Sequence, residues 1–366
     1  MYEEIFKDLN RFRELDAKYE DGNIFCSMCS KPLPITKKIV NLFLETNLGD
    51  SGLFKGTAQL EKETIKLLGE FLNNREAFGN IVSGGTEANL TALRVIKKMK
   101  GRNIILPKTA HFSFEKGKEM MDLNLIYASL NRDYTVDTKY VKEYVEDNKV
   151  DAIIGIAGTT EFGTIDNIKE LTKIAKDNNI YIHVDAAFGG FVIPFLDKKI
   201  EFDFSLNIDS ITIDGHKMAL TPIPCGGILF KSEEYSKFLE TDAFYLIEKK
   251  QTTILGTRPG YGAACLYTIL KYFFDEIEKN VKKCLKNSIY LYKKLKENGY
   301  KPLMKPTLNI VNIEDENYLE TCEKLKEKNY FVSVCKNANA LRLVIMPHIE
   351  KEHIDKFIEV LKEVKP

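Results

Sequence analysis

Two segments of the sequence place polar groups where a ligand could bind. Ser83–Thr86 contains two glycines and is predicted to open a helix, where free backbone N–H groups and the positive end of the helix dipole favour a phosphate. Asp185 is predicted to end a buried strand, and its carboxylate there needs a cationic or hydrogen-bonding partner. Taken singly, the first segment is also typical of an ordinary turn and the second of a structural cap.

A lysine and a histidine follow two further predicted strands. Lys217 comes directly after His216, and partial burial would lower the pKa of its amine and make it a nucleophile. His111 lies just after the apolar run 104–106, although an isolated histidine there is more often structural. A phosphate site, an amine for a Schiff base, a carboxylate for a pyridinium nitrogen and a flat imidazole are together what pyridoxal phosphate requires.

The apolar pattern predicts the elements that position these residues. Helix-like and strand-like segments alternate between about residues 50 and 230, which favours a mostly parallel sheet covered on both faces. After about residue 265 a long helix over 263–298 is followed by strand, helix, strand, strand and helix, which fits a smaller α+β domain. We therefore predict an N-terminal segment over 1–46, a large cofactor domain over 47–265 and a small C-terminal domain over 266–366.

The composition excludes several classes of protein. The chain has 366 residues, 44% of them hydrophobic, and 53 basic side chains balance 53 acidic ones, so it is not a disordered chain. It contains no long basic run and no apolar run near the roughly 20 residues of a spanning helix, so neither nucleic acid nor membrane is expected as a partner. The mixed start, Met1–Lys7, favours a cytoplasmic protein.

The cysteines predict neither a disulfide framework nor a metal site. Their number is odd, seven, and they are scattered along the chain. Cys26 and Cys29 have C-x-x-C spacing, but no second pair of ligands accompanies them, as a structural zinc site requires. A redox pair is expected at a turn between a strand and a helix, whereas this pair precedes an irregular proline-containing segment. Metal binding or redox chemistry is the alternative interpretation of the pair. We expect ordinary thiols and no bound metal.

With these segments in view, the sequence resembles the group II pyridoxal-phosphate-dependent amino acid decarboxylases, and among them the archaeal L-tyrosine/L-aspartate decarboxylases. The resemblance runs nearly end to end and is carried by short motifs: Asn47–Asp50, Ser83–Asn89, Thr109–Lys116, Gly158–Thr160, His183–Gly190, Asp214–Lys217, Gly256–Arg258 and Leu341–Arg342. It implies the α/β architecture of fold type I (aspartate aminotransferase-like), with a mostly parallel sheet and a smaller C-terminal α+β domain.

The resemblance also implies a role for each matching residue. Lys217 would bind the cofactor covalently, Asp185 would pair with its ring nitrogen, and His111 would stack on its ring. Further residues would surround the phosphate or the ring: Gly85, Thr86, Thr160, Ala187, Asp214 and His216.

Three residues from other parts of the chain would complete the site by the same resemblance. Thr257 would reach the phosphate pocket from the neighbouring subunit, which implies a homodimer with sites at the subunit interface. Arg342 would bind a substrate carboxylate, for which its planar fork is suited. Tyr245, on a loop after the lysine, would protonate the substrate Cα; a packed loop aromatic is the alternative interpretation.

The implied reaction is decarboxylation of an L-amino acid. For the family, tyrosine gives tyramine, a methanofuran precursor, and aspartate gives β-alanine, a coenzyme A precursor; we rank tyrosine first. Gly215 stands where relatives commonly have proline, and the run 218–221 also departs from the family pattern, which affects the expected substrate more than the reaction.

Other functions would use some of the same residues. A carbon–carbon lyase would retain the same cofactor residues, and a desulfurase would need a mobile cysteine, for which Cys225 is the candidate nearest Lys217 in sequence. A non-enzymatic binding or scaffold protein would not need the combined set. A nucleotide-binding protein using Ser83–Thr86 is disfavoured because no Gly-Lys-Ser/Thr loop follows.

Overall fold

The computed structural model describes residues 1–365. The helices are α1 Tyr2–Arg13, α2 Thr36–Leu42, α3 Lys55–Phe71, α4 Gly85–Met99, α5 Ser113–Met121, α6 Thr138–Asp147, α7 Ile168–Asp177, α8 Ser236–Leu239, α9 Gly260–Tyr272, α10 Phe274–Glu297, α11 Tyr318–Glu327 and α12 Lys351–Val364. The strands are β1 Phe78–Val82, β2 Asn103–Pro107, β3 Asn124–Ala128, β4 Ala152–Ile156, β5 Tyr181–Asp185, β6 Ser210–Ile213, β7 Gly226–Phe230, β8 Thr241–Asp242, β9 Lys250–Gln251, β10 Ile310–Glu314, β11 Ser333–Cys335 and β12 Ala340–Val344. The chain forms two compact units, residues 32–282 and residues 1–31 together with the chain from 283 onward.

The unit of residues 32–282 is built on a seven-stranded sheet in the order β1-β7-β6-β5-β4-β2-β3. β7 pairs antiparallel with both of its neighbours, and every other adjacent pair is parallel. The prediction of a mostly parallel sheet is therefore confirmed. The parallel strands end at one edge, so the residues after them are brought to the same side of the unit.

The strands of this sheet are buried because helices lie against it. β4, β5, β6 and β7 are buried along their whole length. A helix such as α7 begins where the Asn167 side chain accepts the Glu170 N–H at 3.2 Å, and it buries Ile168, Leu171 and Ala175. Such runs of apolar residues at a helical period cover the sheet and fix the positions of the loops at its edge.

The other unit contains a three-stranded antiparallel sheet in the order β10-β12-β11, with α11 and α12. The predicted succession of strand, helix, strand, strand and helix is present. Residues 1–31 of the predicted N-terminal segment belong to this unit. Ile24 bridges to Phe331, and the buried Phe25 ring packs on Phe357 at 4.8 Å between centroids. The domain boundaries at residues 46 and 265 remain a prediction, and the two compact units divide at other positions.

The prediction of a single long helix over 263–298 is wrong, because two helices are present there. The chain forms α9 and then α10, because Phe273 leaves helical geometry with φ −131° and ψ 24°. The next ring, Phe274, packs against Phe71 at 5.6 Å and Phe195 at 5.7 Å between centroids. Within residues 1–365, none of the helices combines the length and the apolar character that crossing a membrane requires.

Candidate active site

A cavity of about 350 Å³ lies at the carboxyl ends of the parallel strands, within the unit of residues 32–282. Nine of the ten residues predicted to bind the cofactor line it: Gly85, Thr86, His111, Thr160, Asp185, Ala187, Asp214, His216 and Lys217. Further lining residues include Asn89, Thr109, Phe112, Phe188 and Ile223. The volume suits a small-molecule site.

The glycine-rich turn Ser83–Thr86 joins β1 to α4 at one end of this cavity. No side chain caps α4, so its first N–H groups are available to an anion. Gly84 has φ +155°, and a Cβ there would lie 2.8 Å from His216 Cε1, so the turn approaches this imidazole more closely than a larger residue permits. The Glu87 carboxylate accepts the Ser83 N–H at 2.8 Å and anchors the turn.

Asp185 ends β5 with its side chain almost completely buried, at 6% exposure. One carboxylate oxygen, Oδ1, accepts the Ala187 N–H at 3.0 Å. The other, Oδ2, accepts the side-chain N–H of Asn89 at 2.8 Å. The carboxylate is therefore held in one orientation at the cavity, and its burial is compensated by hydrogen bonds.

Lys217 lies in the turn after β6 and is largely covered, with a side-chain exposure of 16%. Its Nζ is 3.1 Å from Oδ2 of Asp214, and the Nε2 atom of His216 is 3.7 Å from the same oxygen. His216 Nδ1–H donates to the Cys225 carbonyl at 2.6 Å, and its backbone N–H donates to the same carbonyl at 3.0 Å. The imidazole is thus fixed, although Gly215 precedes it.

His111 contributes its imidazole to the cavity. Burial lowers the pKa of His111, and the nearby Asp185 carboxylate opposes that effect. The Ser113 hydroxyl lies 3.0 Å from Nδ1, and the Ser113 N–H donates to the same nitrogen at 3.3 Å. The adjacent Phe112 ring is tilted by 40° at 4.0 Å between centroids and is 57% exposed.

Three predicted site residues do not line this cavity. Tyr245 lies between β8 and β9 and is 90% exposed, and Thr257 is exposed on a loop before α9. Arg342 belongs to the other compact unit, where its Nη1 donates to the Cys26 carbonyl at 3.2 Å and to the Ser333 hydroxyl at 3.0 Å.

Two polar residues at the cavity, Asn89 and Thr109, were not among the predicted site residues. Asn89 is three residues after Thr86 on α4, and this spacing places both on one face of the helix, which was an available signal. The Thr109 hydroxyl is buried and has no hydrogen-bond partner among the described residues, and nothing in its local sequence distinguishes it.

Comparison with known proteins identifies the family. Residues 56–313 match the pyridoxal-dependent decarboxylase conserved domain, which is well over half of the chain. A protein of Methanocaldococcus jannaschii named L-tyrosine/L-aspartate decarboxylase is 61% identical, over 99% of this chain and 96% of that protein. The chain belongs to the pyridoxal-dependent decarboxylase family. It is thus a pyridoxal-phosphate-dependent decarboxylase, as its resemblance to the group II enzymes implied.

Solved structures place this decarboxylase in fold type I. A glutamate decarboxylase of Lactobacillus brevis superposes with a TM-score of 0.85 at 22% identity, covering 98% of this chain and 91% of that one. A sphingosine-1-phosphate lyase of Burkholderia pseudomallei gives a TM-score of 0.89 at 19% identity, covering 99% and 90%. At these identities the likeness shows the fold alone.

The residues of the cavity fit the cofactor of this decarboxylase. One oxygen of Asp214, Oδ1, is buried without a partner among the described residues, and a Cβ on Gly226 would lie 2.5 Å from it. The glycines thus permit a close approach of backbone and side chains at the cavity, where an uncapped helix end, an amine, an imidazole and a carboxylate converge. Cys225, the candidate thiol of a desulfurase, is buried, donates to the Gly262 carbonyl at 3.4 Å, and burial raises its pKa to about 12. Such a thiol is not a nucleophile near neutral pH.

Proposed function

We propose that this decarboxylase acts on L-tyrosine, with L-aspartate as a second substrate, to give tyramine and β-alanine. The observation that carries the proposal is the convergence of Lys217, Asp185 and His111 on one cavity in a chain so similar to a protein named for both activities. The products would serve as precursors of methanofuran and of coenzyme A. Bound pyridoxal phosphate supplies an aldehyde that condenses with amines and a protonated ring that accepts the electrons left by departing CO2.

Lys217 would supply the amine that holds the cofactor and that the substrate amine displaces. Its Nζ lies 3.1 Å from Asp214 Oδ2, so this carboxylate would position the amine. A carboxylate repels a phosphate, and we therefore assign the phosphate to His216 and to the N–H groups of Gly85 and Thr86 rather than to Asp214.

Asp185 would hold a proton on the ring nitrogen, because a fixed, buried carboxylate favours a cation beside it. His111 would provide a flat face for the ring, and burial, which lowers its pKa, favours the uncharged imidazole, which does not repel a protonated ring. Ala187 would leave room on the other face, and Thr160 would contact the ring edge.

The remaining groups would come from outside the cavity. Arg342 would bind a substrate carboxylate, Tyr245 would deliver the proton that replaces CO2 at Cα, and Thr257 would reach the phosphate of a neighbouring subunit. The exposure of Tyr245 and Thr257 supports a homodimer, in which such residues can reach a second site. The apolar side chains of α1, among them Phe6, are also exposed and offer a surface for a second copy.

The preference for tyrosine is supported by the apolar residues at the cavity. Phe112 and Ile223 line it and are 57% and 63% exposed, so a phenol ring could cover them. The Lys116 ammonium lies 4.8 Å from the centre of the Phe112 ring, and this cation is available to the second carboxylate of aspartate.

A direct assay tests both substrates. Holoenzyme is incubated with each common L-amino acid, and CO2 and amine are measured together. Tyramine formed in a one-to-one ratio with CO2 is the expected result, with β-alanine at a lower kcat/KM. Release of sulfide, or of an aldehyde by carbon–carbon cleavage, would contradict the proposal. Phe112→Ala should raise KM for tyrosine about tenfold while changing KM for aspartate less.

A further inference from the structure

A buried polar network lies against Asp185 and His111, and two of its members have no role in the proposed reaction. Asn89 on α4 is 1% exposed, and Ser113, the first residue of α5, is fully buried. Their side chains are joined by a hydrogen bond of 3.0 Å. The helices that cover the sheet thus bring an amide and a hydroxyl between the two groups that would contact the cofactor ring.

The Asn89 side chain makes four hydrogen bonds, which use its full capacity. Its two N–H groups donate to Asp185 Oδ2 at 2.8 Å and to the Ser113 hydroxyl oxygen. Its Oδ1 accepts the Thr212 hydroxyl at 2.8 Å and His183 Nε2–H at 3.2 Å. A rotated amide would place its oxygen against a carboxylate, so only this orientation satisfies every partner.

The partners of Asn89 on the sheet all direct their protons towards Asp185. The Tyr181 hydroxyl donates to Ser210, whose own hydroxyl is then left to donate to His183 Nδ1 at 2.8 Å. His183 Nε2–H donates to Asn89, and Asn89 donates to Asp185. A chain of hydrogen bonds with one direction polarises its members and strengthens the last bond.

The second branch of the network ends at His111. Because the Ser113 hydroxyl oxygen accepts from Asn89, its hydrogen is free to donate to His111 Nδ1. The Ser113 backbone N–H also points at Nδ1, so this nitrogen is an acceptor. The hydrogen bond at one imidazole nitrogen determines which nitrogen carries the proton. His111 therefore carries its proton on Nε2.

We propose that Asn89 is a positioning residue which, through opposite N–H groups, fixes the Asp185 carboxylate and, by way of Ser113, holds His111 as its Nε2–H tautomer. This inference deepens the proposed function and rests on it, because Asp185 and His111 matter only if they contact the cofactor ring. Asn89 itself does not touch the reacting atoms in this scheme. It holds the Asp185 carboxylate in one orientation and His111 in one tautomer.

Asn89→Asp separates this role from a merely structural one. The substitution retains the shape of the side chain but replaces the donor with a second acceptor. The Ser113 hydroxyl would then donate to residue 89, and its oxygen would become an acceptor for His111 Nδ1–H. Only the Ser113 backbone N–H would still favour Nε2–H, so the tautomer should shift towards Nδ1–H. The expected consequence is a reversal of hydrogen-bond direction, which loss of packing alone does not produce.

The reversal is measured by nitrogen-15 NMR of holoenzyme labelled at its histidines. The chain has five histidines, and His111→Gln identifies the signals of interest. We expect Nε2–H in the wild type, a shift towards Nδ1–H in Asn89→Asp, and a weaker change in Ser113→Ala, where the backbone N–H still reaches Nδ1. Asn287→Asp is the matched control, because Asn287 is a buried amide in the other compact unit that donates to the Ile349 carbonyl.

Kinetics supply the second readout. Asn89→Asp should lower kcat by roughly 10- to 100-fold, the effect of losing a hydrogen bond to a charged group, with little change in KM, whereas Asn287→Asp should leave both unchanged. An Nδ1–H tautomer in the wild type, or a tautomer and kcat in Asn89→Asp equal to those of Asn287→Asp, would overturn the inference. If Asn89→Asp does not fold, the wild-type tautomer and Ser113→Ala decide. A wild type that releases no CO2 would refute the proposed function while leaving the tautomer result intact.

Discussion

Two buried groups near the site are expected to titrate in opposite directions over the same pH range. Burial raises the pKa of Asp166 from 3.8 to about 6, against the backbone N–H groups of Val136 and Ile156, which donate to it at 2.8 Å. Burial lowers the pKa of His183 from 6.5 to about 4, against the pull of the Asp185 carboxylate. Each of these pKa differences between the folded and the unfolded chain changes the free energy of unfolding by about 3 kcal/mol across the titration.

The signs of these contributions to stability are opposite. Folded Asp166 holds a proton more tightly than the unfolded chain, so its contribution is present below pH 3.8 and is lost as the pH rises through about 6. Folded His183 binds a proton more weakly, so its contribution is present above pH 6.5 and is lost as the pH falls through about 4. Between pH 4 and 6.5 the loss of the Asp166 contribution with rising pH is therefore largely offset by the gain of the His183 contribution in the wild type.

Asp166→Asn removes one side of this balance. An asparagine has only one acceptor oxygen, so one of the two backbone N–H groups of Val136 and Ile156 loses its acceptor. This loss lowers the free energy of unfolding by the same amount at every pH. The free energy of unfolding of the variant minus that of the wild type should therefore rise by about 3 kcal/mol between pH 3.5 and 7. The measurement is urea unfolding followed by circular dichroism at several pH values, with saturating pyridoxal phosphate in every sample and unchanged m-values.

An exposed aspartate provides the control for this experiment. Asp147 at the end of α6 is exposed, so Asp147→Asn reports the effect of removing one surface charge. A difference between Asp166→Asn and the wild type that stays constant with pH, as large at pH 4 as at pH 7, would refute the assigned cause. It would mean that water or a local rearrangement solvates the Asp166 carboxylate in the folded protein.

The remaining predictions concern the proposed chemistry. Borohydride reduction of holoenzyme should fix the cofactor on Lys217, as mass spectrometry of peptides would report; label on another lysine contradicts the assignment. Asp185→Ala should retain cofactor but lower kcat by roughly 100-fold or more, and near-normal turnover would exclude its role beside the ring nitrogen. Tyr245→Phe should lower the amine formed per CO2 released, and an unchanged ratio would assign the proton to another residue. Cys225→Ala should leave amine formation unchanged, because the buried thiol has no place in decarboxylation.

The sequence was sufficient to predict the sheet and the residues at the ends of its strands. Short, fully apolar runs such as β4 have few alternatives in a chain of this length, and a parallel sheet places the residues after each run at one edge. Asp185 ends β5, and Lys217 lies only 32 positions later, in the turn after the adjacent strand β6. The register of these two strands pairs Asp185 with Thr212. Their meeting therefore depends on pairing that the local pattern already favours.

The polar network could not be predicted in the same way. Asn89 reaches Ser113, 24 residues away, and Asp185, 96 residues away, through single hydrogen bonds. The orientation of the Asn89 amide, and so which of its atoms donates to Asp185, also depends on its other partners, His183 and Thr212. No local sequence pattern predicts those contacts. The break at Phe273 has a similar origin, since an aromatic residue is compatible with a helix and only distant rings decide against it.

The choice of reaction in this fold must depend mainly on residues other than those that bind the cofactor. Proteins named for decarboxylation and for lyase chemistry share this architecture over nearly the whole chain, and any such enzyme needs an amine, a carboxylate and an anion site. The difference between them lies in which bond at Cα is aligned with the ring and in which group then donates a proton. In the proposed function those decisions would fall to the exposed Phe112 and Ile223, to the loop that carries Tyr245, and to Arg342. Substitutions there should change the substrate or the product, whereas substitutions at Lys217 or Asp185 should slow every reaction alike.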